Sequence, residues 1–588
     1  MSSSSQDASL TFVEKKLFMG LDCSTQGLKA VAVNENLEVV YEIKVDFSLE
    51  LPGFGTKSGV HVHSGGVVNA PVDMYLQAID LLLEKLKIIN FPFNNVISIS
   101  GAGQQHAMVL FSSRASSLLS NLSAFQPIAS QLADAFSSPT VTNWQDSSTK
   151  LDCKEITEAF SGGSDGLAQT TGSKAHARFT GPQIRKLVSR GVPEVWEMTE
   201  KIALVSNWLA TMICADGEIK GYDEADASGM NLWDLPNRRW SSEVLSLTVP
   251  NRNPLELESK LTGVEIDPGR AIGRVGKWWV DRWNFNKECI VAPFTGDNPS
   301  TLLSFILSPG DAVISLGTSD TVLLASNEYL PSPDYHVFAS PAGDSQSGQR
   351  RYMSMLCYKN GSLSRERVRE THCGSSWDTF NQQVLAGYVS TPTVDSNVGI
   401  TTFNYDKPEI IPSGVSGIHI FRDGIYLPGG EVELSENELK ELPRRVLESQ
   451  FLSFRKRVAS ILKGERLNRV FVAGGGSVNP VITKLLSDIL GCPVYVASGS
   501  SQGCAIGAAY RAAWAHKKLF SPGVSFEEVV NTARMELYDQ KTDTVERDAI
   551  AGMKKVADPD LSAWNAYGAL LPGWEKMEDR VVDICKDE

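Results

Sequence analysis

Near its start the chain alternates apolar and polar positions in three short runs, "KLFMGLD", "LKAVAVN" and, after the turn "NENL", "LEVVYEIKV". Period-two patterning in runs this short predicts strands, and the tight links between them predict a β-meander. The first link carries Ser24, Thr25, Gln26 and Gly27, with Asp22 closing the strand before it. From Pro309 to Leu330 the design returns as the apolar run "AVISLG", the hydroxyl-rich turn "GTSD" and the run "TVLLAS". Later, "NRVFVAGGGSVNPVITKLLSDILGCPVYVAS" reads as a strand, a cluster of Gly474, Gly475 and Gly476, a helix and a second strand. Pro480 suits the first turn of that helix and Asn479 its cap. "SSQGCAIGAAYRAAWAHKK" reads as a helix of small residues, built for close packing.

Two hairpins of one design in the two halves of a chain predict two related lobes, each giving one anion-gripping turn to a shared cleft. Hydroxyls and backbone N–H groups converging in such a turn can hold a phosphate, and Asp22 beside the first can reach a hydrated cation. The alternative for Asp22 is a plain hairpin with a solvated acid. The glycine cluster lets a nucleotide approach the backbone, and the helix after it favours an anion or a base edge at its N-terminus. It is neither a Walker sequence, since no Gly-Lys-Ser/Thr follows, nor G-x-G-x-x-G.

Composition narrows the classes. A chain of 588 residues implies two or more domains. A formal charge of -14 and a pI near 5.2, with no basic aromatic stretch, exclude nucleic acid as a partner. No apolar run reaches the roughly 20 residues of a membrane span, and no secretory signal opens the chain. Nine cysteines without a C-x-x-C pair predict reduced thiols and a cytoplasmic setting. The Ser-rich opening, with Asp7, Glu14 and no arginine, predicts a mobile tail over 1–16, with organelle import as the alternative. His61 and His63 share a strand face but lack a third ligand, so a structural role is expected. "SENELKELPRR" reads as a solvated helical face, and the Pro/Gly/Thr-rich stretch before it in the chain, "STPTVDSNVGITTFNYDKPEIIPSGVSG", as a connection without chemistry.

Taken in order from about Lys16 onward, "GLDCSTQGLKAV", "SGAGQQHAMVLF", "WQDSSTK", "TGSKAHARFTGPQI", "TGDNPSTLL", "ISLGTSDTVL" and "VAGGGSVNPVI" resemble the FGGY family of carbohydrate kinases. The resemblance implies an α/β fold of two actin-like, ribonuclease-H-like lobes with the active site in the cleft between them. It implies residues 17–308 for sugar binding and the catalytic base, and 309–588 for the nucleotide, ending in a helical segment. The branch it is most similar to transfers phosphate from ATP, with Mg2+, to D-xylulose, giving D-xylulose 5-phosphate for the pentose phosphate pathway. A kinase for another ketose, deoxy-ketose or polyol stands as the alternative, and from another class a catalytically inactive sugar or nucleotide switch. Sugar and ATP are the expected partners, for a monomer or homodimer.

The resemblance also implies roles for single residues. Asp297 in "FTGDNPST" is the base that orients a sugar hydroxyl and takes its proton; the local sequence alone favours an Asx-turn before Pro299, and the surrounding motif set reverses that preference. Asn298, His106 and Arg178 hold the sugar with it, and Trp144 and Asp146 shape the pocket. Asp22 holds magnesium through water, while Thr25 and the turn Gly317, Thr318 and Ser319 grip the phosphates. Gly475, Gly476, Asn479 and Trp377 contact adenosine.

Overall fold

The meander forms one side of a larger mixed sheet in the computed structural model, which describes residues 16–386, 399–428, 433–497, 503–541 and 553–587. Leu17–Cys23 pairs antiparallel with Gly27–Val33, which pairs antiparallel with Val39–Asp46. On its other side Leu17–Cys23 runs parallel to Val96–Gly103, itself parallel to Ile290–Val291. The second sheet repeats this order with Tyr352–Tyr358, Asp320–Ser326, Asp311–Leu316, Arg469–Ala473 and Val494–Ala497. Its pairings follow the same sequence, two antiparallel and then two parallel. Parallel neighbours need long crossovers, and central strands buried on both faces need the near-continuous apolar runs read in the sequence. The result is an α/β molecule of two actin-like lobes. The expected tail over 1–16 lies, apart from Lys16, outside the described residues.

Two features tie the lobes together. The small-residue helix Cys504–Lys518 follows the second sheet in sequence but packs on the first. A Cβ on Gly20 would lie 1.8 Å from the Ala505 carbonyl oxygen, and one on Gly507 would lie 1.8 Å from that of Ser300. Both positions therefore require glycine. From the same helix the fully buried Arg511 pairs with Asp223 at 3.2 Å and donates to the carbonyls of Pro341 and Pro293. The second link is the stretch after Thr171: the Val337 N–H donates to the Gly172 carbonyl at 2.8 Å, joining a first-lobe loop to the edge strand His336–Ala339.

The charge run proves solvated only at its start. Ser435 and Glu438 form a capping box for the helix Glu436–Ile461, and Glu436 and Lys440 are exposed. One turn further on, Arg444 is buried against Glu448 and the Tyr567 hydroxyl. Within the Pro/Gly/Thr-rich connection, Ile400–Tyr405 pairs with Gly417–Arg422; residues 387–398 fall outside the described set.

Candidate active site

A cleft of about 1100 Å³ opens between the lobes, and both hydroxyl turns line it. Ser24 and Thr25 stand on the first-lobe wall, Thr318 and Ser319 on the second. The strands hold them there: each turn joins the antiparallel pair at the centre of its sheet, so the two turns are structural counterparts. Thr25 Oγ1 accepts from the Trp144 indole at 2.8 Å, which makes Trp144 a support for this turn. Asp146 is also a support, because its carboxylate already accepts from Val68 N, Ser148 and Gln183.

Asp297 lines the cleft, and Asp22 stands beside the first turn, close enough for its charge to act on Asp297. Asp22 accepts from the Ser24 hydroxyl at 2.6 Å. Burial pushes its carboxyl up to about 6, against the hydrogen bond from Ser24 and the charge of Lys29. Asp297 begins the helix Asp297–Phe305 and accepts from Asn298 N at 2.8 Å and Asn298 Nδ2 at 3.1 Å. Burial, and then the charge of Asp22, push it up to about 7, opposed by the N–H groups of Asn298 and Gln105. Such a carboxyl is a proton acceptor poised near neutrality. The Asn298 amide also donates to Gln105 Oε1 at 2.9 Å, locking the pair to the end of the strand Val96–Gly103. Gly296 is packed so closely that a Cβ there would meet Gln105 Cγ at 2.4 Å and Asp226 Oδ1 at 2.8 Å. Asp226 is buried beneath and bonded to the Ser206 hydroxyl; burial raises it well above the ordinary carboxylate range.

The remaining first-lobe wall suits a polyol. His106 Nδ1 lies 2.7 Å from the Gly229 carbonyl, so that nitrogen carries the proton and Nε2 is left as an acceptor. Burial, with the Arg178 charge adding to it, holds the ring neutral, and it stacks on Phe179 at 4.2 Å. Arg178 lines the same wall and donates to His336 Nε2 at 3.0 Å, while the other nitrogen of His336 meets the Ser173 hydroxyl. His336 comes from the second lobe, 158 residues from its partner. No local pattern in the sequence marks it. His176, beside it at 4.5 Å between rings, also lines the cleft and was not singled out by sequence.

Behind the second turn lies the glycine cluster. Gly474 adopts a positive φ of 82°, and a Cβ there would sit 2.6 Å from the Leu316 carbonyl oxygen. Gly475 has open space above it. Asn479 caps the helix Pro480–Leu490, accepting from Val481 N at 3.0 Å, and donates to Asn381 at 2.9 Å. Asn381 lies on the helix Trp377–Ala386, whose Trp377 ring is covered by the Arg369 guanidinium at 4.9 Å. Gly476 packs on Leu316 just before the second turn, and Asn479 ties the glycine cluster to the helix that carries Trp377; none of Gly475, Gly476, Asn479 and Trp377 lines the main cleft. His61 and His63 bond instead to the Phe54 carbonyl and Asn69.

Comparison with known proteins places this geometry. Residues 139–304 match the N-terminal domain, and residues 312–516 the C-terminal domain, of the FGGY family of carbohydrate kinases. The chain is 40% identical over 582 residues to the xylulose kinase of Schizosaccharomyces pombe, covering 96% of this chain and 99% of that one. It is 38% identical over 586 residues to the probable D-xylulose kinase A of Aspergillus fumigatus, covering 96% and 98%. Among solved structures it superimposes on the xylulose kinase of Bifidobacterium adolescentis with a TM-score of 0.69 at 20% identity, over 94% of this chain and 99% of that one. The glycerol kinase of Plasmodium falciparum with ADP gives a TM-score of 0.70 at 15% identity, over 96% and 98%, a likeness of fold alone. With matched domains on both lobes and full-length relatives, the chain belongs to the FGGY family of carbohydrate kinases.

Proposed function

We propose that the protein transfers the γ-phosphoryl group of ATP to a hydroxyl of D-xylulose, giving D-xylulose 5-phosphate and ADP. The observation that carries this reading is Asp297, a carboxyl poised near neutrality in the same cleft as His106, Arg178 and both hydroxyl turns. Relatives named xylulose kinase along the whole chain supply the sugar. In this reading residues 17–308 provide the sugar wall and the base, and residues 309–588 the nucleotide side. A ketopentose offers several hydroxyls and little apolar surface, so neutral His106 accepts one hydroxyl and Arg178 donates to others. Asp297, oriented by Asn298, takes the proton of the attacking hydroxyl while its oxygen bonds to phosphorus and the bond to ADP breaks. Thr25 and the turn Gly317–Ser319 hold the phosphates in line, and Gly475, Gly476, Asn479 and Trp377 receive adenosine.

Magnesium fits the donor set. Asp22 is a hard oxygen ligand that would hold the ion through water, and a divalent cation there would relieve the opposition between its charge and that of Asp297. When bound, the ion neutralises charge on the phosphoryl oxygens. A cytoplasmic setting agrees with nine cysteines that all stand as free thiols.

The test is ADP release by the purified protein with MgATP and, in turn, D-xylulose, L-xylulose, D-ribulose, L-ribulose, glycerol and 1-deoxy-D-xylulose. The expected result is a strong preference for D-xylulose. Stimulation by a different sugar alone would replace the substrate, and stimulation by none would overturn the kinase reading.

A further inference from the structure

We propose that Lys359 and Lys407 form a cationic clamp on the polyphosphate of the nucleotide, supplying the charge that the hydroxyl turns lack. This rests on reading the cleft as an ATP-dependent kinase site. The first observation is electrostatic. The chain carries a formal charge of -14, yet both lysines face the cleft, and among the described residues neither ammonium has an ion pair or hydrogen-bond partner. An unpaired cation at a cleft wall in an acidic protein concentrates the field on an anionic ligand.

The second observation is that their backbone is fixed against the phosphate-side turn. Glu409 is buried, and its carboxylate accepts from Lys359 N at 2.6 Å, Ile410 N at 2.7 Å, and Asn360 N and Nδ2 at 3.0 and 2.7 Å. Asn360 returns two bonds to the backbone of Lys407, each at 2.9 Å. The segment carrying Lys359 is in turn bonded to the turn itself: Gly361 N donates to the Thr318 carbonyl at 3.2 Å, and Ser362 N to that of Gly317 at 2.8 Å. A buried carboxylate with four donors thus laces both lysine-bearing segments into one unit beside Thr318 and Ser319.

The third observation concerns the arginines near the cleft. Arg365 beside the turn is spent on buried Asp320, at 2.7 and 2.9 Å. Arg178 is bonded to His336 on the sugar wall. Asp297 on the cleft wall and Asp22 near it add negative charge, and the chain has no Walker lysine after its glycine cluster. A triphosphate needs neutralisation beyond one divalent ion, and phosphate-transfer sites ordinarily supply it with lysine or arginine. Lys359 and Lys407 are placed to do so.

The experiment compares equilibrium binding of ADP and of adenosine to the wild-type protein and to Lys359→Ala/Lys407→Ala, without sugar. Both side chains are exposed, so the melting temperature of the double variant should be unchanged. The clamp requires ADP affinity to fall by about tenfold or more, adenosine affinity to stay within about twofold, and the salt dependence of ADP binding to flatten. Lys359→Arg/Lys407→Arg should retain ADP affinity. Unchanged ADP affinity in the alanine variant, or equal losses for ADP and adenosine, would overturn the clamp. Failure of the D-xylulose reading would look different: no sugar-stimulated ADP release by a wild-type protein that still binds ADP.

Discussion

Asp297 and Asp22 are carboxyls for which the fold makes ionisation costly. With Asp297 raised to about 7 and Asp22 to about 6 from an ordinary 3.8, the native state holds protons that the unfolded chain releases. The contribution of these two carboxyls to native-state stability therefore falls as pH rises from about 4 to about 7, because at these groups the folded form binds more protons across that window. Asp297→Asn removes one of the two charges, so it should raise the melting temperature near pH 8 and change it little near pH 4. Differential scanning fluorimetry at the two pH values checks this, and an equal shift at both would refute the electrostatic cause. His106 gives a second expectation at this scale. Its positive φ of 69° suits asparagine, which cannot place an acceptor where Nε2 stands. His106→Asn should therefore raise KM for the sugar by about tenfold and leave KM for ATP nearly unchanged, as steady-state kinetics with each substrate varied would read. Most residues of this site that were legible in the sequence sit in contiguous strand–turn–strand or strand–glycine–helix units, such as Asp22 with Thr25, while Arg178 and Trp377 rest on the family resemblance alone. His336, Lys359 and Lys407 were not, because partners far along the chain place them.

The helix Cys504–Lys518 shows the same division between elements. Its run of small residues announces close packing, but no feature of the sequence says that it packs on the first lobe's sheet. Two glycines without room for a Cβ seat it there: Gly20 brings the strand against Ala505 of the helix, and Gly507 brings the helix against Ser300 of the helix Asp297–Phe305. Gly507→Ala should destabilise the protein by on the order of a few kcal/mol, since backbone at 1.8 Å cannot yield as a flexible side chain would. Thermal or urea unfolding measures this, and a wild-type midpoint would show that the helix is free to shift. The repeated sheet was the most legible part of the fold, because its hairpins recur in the hydrophobic pattern itself. The charge run was less so: periodicity marks the helix Glu436–Ile461, but burial of Arg444 depends on Glu448 and on Tyr567 far downstream.

At the scale of the whole molecule, two copies of one sheet face each other across a cleft and divide the work. In the proposed reading the first lobe supplies the base and most of the sugar wall, and the second supplies one phosphate turn and the glycine cluster. Links across the cleft run through the Cys504–Lys518 helix and the bond from Arg178 to His336, so the sugar wall is coupled to the position of the second lobe. Closure of such lobes excludes water from the transfer, and the base then acts on a hydroxyl held against the phosphate. The most direct measurement is turnover of Asp297→Asn on D-xylulose with MgATP, alongside its affinity for D-xylulose. If Asp297 is the base, turnover falls by about a thousandfold or more while sugar affinity stays within about threefold of wild type. Turnover within tenfold of wild type would contradict the assignment.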